Sequence, residues 1–73
     1  MEFNAKQIIK RREALGMSRK TLADVAGMPY NTVWRIETGQ REPLASTLVA
    51  LAKALRLKSV NYFFQKSARG AVD

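Results

Sequence analysis

Glycine and proline cut this chain into pieces too short for anything but small helices. Gly16, Gly27 with Pro29, and Gly39 with Pro43 stand at intervals of roughly a dozen residues, with Gly70 near the end. Each interval carries apolar residues at helical spacing. In the first, Ala5, Ile8, Ile9, Arg12 and Leu15 recur every three or four positions, which sets them on one face of a helix starting near Asn4, a good N-cap. Ser18 caps a second helix over Arg19 to Ala26, with Leu22, Val25 and Ala26 as its apolar edge, and Gly27 takes the left-handed turn that follows. A third spans about Tyr30 to Thr38. At ~100° per residue Val33, Ile36 and Glu37 point one way, Asn31, Arg35 and Thr38 the other, with Thr32 and Trp34 on the flanks. From Ala45, Leu48, Leu51 and Leu55, widened by Val49 and Ala52, give the strongest amphipathic signal, a fourth helix beginning after Pro43. A short fifth helix is expected from Ser59 through Val60, Tyr62, Phe63 and Phe64, followed by a frayed tail. The expected fold is all-α, a five-helix bundle in one domain over residues 1–65, with 66–73 as the tail.

At 73 residues the chain can bury one core and has no room for a substrate domain. It has no Cys and no His, which removes disulfide scaffolds, zinc fingers, thiol nucleophiles and the commonest general base. The six acids, Glu2, Glu13, Asp24, Glu37, Glu42 and Asp73, are scattered singly, so no carboxylate pair suggests hydrolysis or a hard-cation site. No enzyme activity, metal or cofactor is expected. No apolar run approaches the ~20 residues of a membrane span, and the N-terminus lacks the pattern of a signal peptide, so the chain is expected in the cytoplasm.

Thirteen Lys and Arg against six Asp and Glu give a formal charge of +7. That balance implies a polyanionic partner, and nucleic acid, anionic lipid and an acidic protein all qualify. The densest cluster is Lys10, Arg11, Arg12, Arg19 and Lys20, which a solvated helix face would equally explain. The pair of short helices joined by Gly27-Met28-Pro29 is more specific. It has the form of a helix-turn-helix, with Ala23 small enough for close packing and Tyr30, Asn31, Thr32, Trp34 and Arg35 on or beside the outward face of its second helix. Asn can pair with adenine and Arg with guanine in bidentate fashion, and Thr can meet a thymine methyl.

The stretch from Arg12 to Gly27, the stretch from Thr32 to Pro43 and the run Thr47 to Leu55 together resemble the Cro and phage-repressor helix-turn-helix family, also called the xenobiotic-response-element family. Leu15-Gly16, Leu22-Ala23, Ala26-Gly27, Ile36-Glu37, Gly39 and Pro43 carry the likeness in order, and it covers about residues 5–57. The resemblance implies a lambda-repressor-like domain that binds double-stranded operator DNA as a homodimer. It makes Arg12 and Glu37 an ion pair beneath the DNA-binding surface. It makes Tyr30, Asn31, Thr32, Trp34 and Arg35 base-reading or groove-facing residues. Arg19, Lys20, Thr38, Gln40 and Arg41 become phosphate contacts, though a solvated loop residue explains Gln40 as well. Arg19 departs from the glutamine usual at that position, Pro29 from the usual hydroxyl cap, Leu44-Ala45 from a common Ser-Leu pair and Trp34 from a small polar residue. Arg56 stands at the usual glycine after the fourth helix, so a side chain is expected at positive φ.

One such helix reads too few base pairs to choose a site, so a dimer spanning palindromic half-sites ~34 Å apart is expected. Val60, Tyr62, Phe63 and Phe64 are the expected seam, with a lid on the monomer's own core as the alternative. The function expected is transcription regulation of prophage-repressor or restriction-modification-controller type. The alternative is an antitoxin that masks a toxin partner and autoregulates its operon. A cationic membrane-surface peptide would need Lys and Arg concentrated opposite a bare apolar face, which no segment provides.

Overall fold

The computed structural model describes residues 2–64. Four α-helices, α1 (Ala5–Ala14), α2 (Arg19–Ala26), α3 (Tyr30–Glu37) and α4 (Ala45–Ala54), are followed by a 3-10 turn over Val60–Phe64. No strand occurs among the described residues. The expected fifth helix is therefore corrected to a single five-residue 3-10 turn, and the expected tail at 66–73 lies outside the described residues. The turn has a long-range cause. Its carbonyls are taken by the start of the chain: the Asn4 amide donates to the Phe63 carbonyl at 2.7 Å, and the Gln7 side-chain amide donates to that of Tyr62 at 3.4 Å.

Caps set the start of each of the first two helices. The Asn4 side chain accepts from the Lys6 amide, and Ser18 Oγ accepts from the Thr21 amide at 3.0 Å. Neither Pro29 before α3 nor Leu44 before α4 makes a side-chain cap, so those helices start on backbone geometry alone. All four helices end alike. In each, the amide just past the left-handed residue bonds back five residues: Met17 to the Arg12 carbonyl, Met28 to Ala23, Gln40 to Arg35 and Leu57 to Ala52. That closure needs a left-handed residue, which is Gly16, Gly27 and Gly39 in three cases and Arg56, at φ 59°, in the fourth.

α1 lies against α3 and the 3-10 turn, and α2 against α3 and α4. Between them sits one core of Ile8, Leu22, Ala23, Val33, Ile36, Leu48, Leu51, Ala52, Ala54, Leu55 and Phe63. Two apolar residues expected to face it do not. Val25 is 60% exposed and Val49 46%, because Ala23 on α2 and Ala54 on α4 take the inward positions. Ala23 is buried where α2 meets α3, and its carbonyl receives the Met28 amide at 3.0 Å, so the turn between the two helices closes directly on it.

Candidate nucleic-acid interface

α3 divides cleanly. Val33, Ile36 and Glu37 are buried, Tyr30, Asn31, Trp34 and Arg35 are exposed, and Thr32 lies at the boundary. The buried side anchors the helix and the exposed side offers a hydroxyl, an amide, an indole and a guanidinium to solvent along two turns.

Glu37 fixes the depth of this arrangement. Its carboxylate side chain is fully buried, and Arg12 grips it with two hydrogen bonds, Nε to Oε2 at 2.8 Å and Nη2 to Oε1 at 3.3 Å. Arg12 Nη1 reaches the Met17 carbonyl at 2.9 Å, so the pair also pins the α1–α2 loop. A second cation joins it. Arg19 Nε donates to Glu37 Oε1 at 2.9 Å, and Arg19 Nη1 donates to the Tyr30 hydroxyl at 3.2 Å. One carboxylate thus serves two guanidiniums, and the surplus positive charge rests on Arg19, whose side chain is 30% exposed. The hydrogen bonds from Glu37 first and Tyr30 second raise the pKa of Arg19, and burial opposes them weakly. Because the value moves up, the stabilisation is complete below the ordinary arginine value and is lost only as pH rises beyond it.

Sequence spacing had not joined Arg19 to Glu37 or to Tyr30. The signal was there in an arginine at a position where the family usually carries glutamine. Arg11 went equally unassigned. It donates from Nε to the Leu55 carbonyl at 3.0 Å, closing the end of α4 beside the left-handed Arg56.

The structure separates the expected backbone contacts. Lys20 is exposed and pairs with Asp24 at 3.2 Å, a surface contact readily given up. Gln40 and Arg41 project from the loop after α3 and are exposed. The Thr38 hydroxyl donates to the Trp34 carbonyl at 2.8 Å, and its amide bonds to the same carbonyl, so in this conformation Thr38 has no hydrogen left for a phosphate oxygen. Of the expected seam, Phe63 is fully buried in its own domain and cannot touch a second copy, a correction forced by its place beneath Phe3. Val60, Tyr62 and Phe64 are half-buried at the edge of the core.

A helix-turn-helix family model, HTH_3, matches residues 8–63. The chain belongs to this helix-turn-helix family. The family is one of DNA-binding transcription regulators, and the matched residues contain all of α2, α3 and α4. The chain is 34% identical over 64 residues to a Rhodospirillum rubrum protein described as an uncharacterized transcriptional regulator in the ATPase CF(0) region, covering 88% of this chain. It spans 58% of that relative's length. Among solved structures it is similar to the restriction-modification controller protein C.AhdI from Aeromonas hydrophila, with a TM-score of 0.78 at 30% identity over 82% of this chain and 89% of that one. It is similar also to the DNA-binding domain of the P22 C2 repressor, with a TM-score of 0.79 at 27% identity over 86% and 82% of the two chains. No helix among the described residues is long and apolar enough to cross a membrane.

Proposed function

We propose that the chain is a sequence-specific transcription regulator of repressor or restriction-modification-controller type, laying α3 in the major groove of operator DNA and binding as a two-fold dimer. The observation that carries this is the division of α3. Its inner face is locked by Glu37 to α1 and α2, while Tyr30, Asn31, Trp34 and Arg35 stand outward where a groove would receive them. Thr32 at the boundary completes the base-reading set, and Lys20, Gln40 and Arg41 supply phosphate contacts around it. Both structural relatives support the assignment, since C.AhdI is a restriction-modification controller protein and the P22 C2 domain is the DNA-binding domain of a repressor. The dimer rests on Val60, Tyr62 and Phe64, and a palindromic operator follows from its symmetry.

Selection from a random duplex library tests the proposal. The expected product is a palindromic site bound at least a thousandfold more tightly than random DNA, the usual lower bound for specific regulators. Enrichment of no sequence would defeat it.

A further inference from the structure

We infer that Trp34 reads the C5 methyl group of a pyrimidine in each half-site, so that binding at that position depends on the methyl itself and is met by thymine or by 5-methylcytosine. The inference rests on the proposed groove-reading role of α3 and adds the chemistry of one contact. Trp34 stands where the family commonly carries a small polar residue, so the contact belongs to this chain's own sequence. Its backbone is clamped: the Trp34 carbonyl accepts from the Thr38 hydroxyl at 2.8 Å and from the Thr38 amide at 3.0 Å. The indole is 38% exposed, so part of the ring rests on the domain and part stands free, which limits the freedom it loses on binding. Among the described residues it makes no hydrogen bond and meets no other aromatic ring.

Position around the helix decides what that ring can meet. At ~100° per residue Trp34 lies about 60° from Asn31 on the side of Tyr30, off the middle of the outward face that Asn31 and Arg35 occupy. Across the major-groove edge of an A·T pair the groups run from N7 and the amino group of adenine to O4 and then the methyl of thymine, which is outermost and beside its own strand. A side chain on the flank of the helix meets that outer rim of the groove floor. The methyl is also the one apolar substituent that any base edge presents there. An indole covering it removes two apolar surfaces from water, whereas over N7, O6, O4 or an amino group the ring face would strip water from a polar atom and return no hydrogen bond. Cytosine has only hydrogen at C5, and its 5-methyl derivative restores the same group at the same place.

The test uses the site enriched from a random duplex library and changes one half-site at a time. Each thymine is replaced by uracil, which removes the methyl and keeps O4 and the base pair. At the position so found, 5-methylcytosine is then compared with cytosine, each paired with guanine. Wild type, Trp34→Ala and Trp34→Gln are titrated on these duplexes and on random DNA, after thermal melting has shown each to be folded. Trp34→Gln keeps a long stem against the domain, so it answers even if Trp34→Ala melts early. The expected result is one position at which wild type prefers thymine to uracil, and 5-methylcytosine to cytosine, by about fourfold each, the worth of one buried carbon. Both ratios fall to about one in the variants, because the group read and its reader are coupled. Four results would overturn the inference: no thymine whose replacement by uracil weakens wild-type binding, no gain from 5-methylcytosine over cytosine, a methyl preference that survives in the variants and so belongs to another side chain such as Thr32, or a variant loss equal on the site and on random DNA, the sign of a sugar or phosphate contact. If wild type itself enriches no site, the groove-reading proposal fails with it, whereas a clear wild-type site with any of the four results defeats this inference alone.

Discussion

The most constrained residue is Glu37, a buried anion whose neighbours on three segments are oriented by it. Removing it leaves the 9% exposed Arg12 with an uncompensated charge under α3. Glu37→Ala should lower stability by about 3–5 kcal/mol, as removing one partner of a buried pair does. A thermal melt or urea titration within about 1 kcal/mol of wild type would show the carboxylate to be dispensable. Arg35 stands at the opposite pole, outward and bound to nothing that holds it in the core. Arg35→Ala should leave the melt almost unchanged and lose about 1–3 kcal/mol on the selected operator, relaxing the preference at one base pair. Equal losses on operator and random DNA would make Arg35 a phosphate contact instead. The pairing of Arg12 with Glu37 was legible through the family resemblance, and helical spacing agreed with it by putting both on inward stripes. Arg19 was not, because it sits at the edge of α2, where spacing alone cannot distinguish a side chain turned in to a carboxylate from one turned out to a phosphate.

At the scale of elements, the starts and stops were legible wherever side-chain chemistry sets them. Asn4 and Ser18 start α1 and α2, and three glycines end the first three helices. What escaped was the balance of competing contacts. Val25 and Val49 fit the apolar stripes as well as any residue, yet they stand exposed while Ala23, whose small size the sequence does single out, and Ala54, which it does not, are buried. The 3-10 turn escaped because α1 takes its carbonyls, a long-range effect no local pattern records. Arg56 shows how one closure serves four helices at unequal cost. It adopts φ 59° where glycine stands in the other three, while Leu57 still bonds back to Ala52 at 2.8 Å. Arg56→Gly keeps those backbone bonds, including the carbonyls that Arg11 caps, and relieves the left-handed strain. It should raise stability by about 0.5–1 kcal/mol, less any gain in freedom of the unfolded chain. A lower melting temperature for this variant would mean that the Arg56 side chain contributes more than its backbone costs.

For the whole molecule, symmetry is the remaining step between a domain that fits a groove and a regulator that finds one site. Phe64 is half-buried, edge-on to Phe3 with ring centroids 6.1 Å apart, so part of its ring lies at the surface of the proposed seam. Phe64→Glu should sediment as a folded monomer at micromolar concentration while the wild type sediments as a dimer, and a dimeric variant would move the seam elsewhere. Salt dependence offers a sharper measure, because it counts copies and contacts together. Each phosphate neutralised adds about −0.9 to the slope of log affinity against log salt. Arg41 is exposed in the loop after α3 and has no role in the core, so Arg41→Gln should leave stability unchanged. In a two-fold complex a single substitution removes two contacts, one from each half-site. The slope should therefore flatten by about 1.8, twice the per-phosphate value, with the operator's preferred sequence unaltered. A change near 0.9 means one copy on the DNA, and no change means that Arg41 never meets a phosphate.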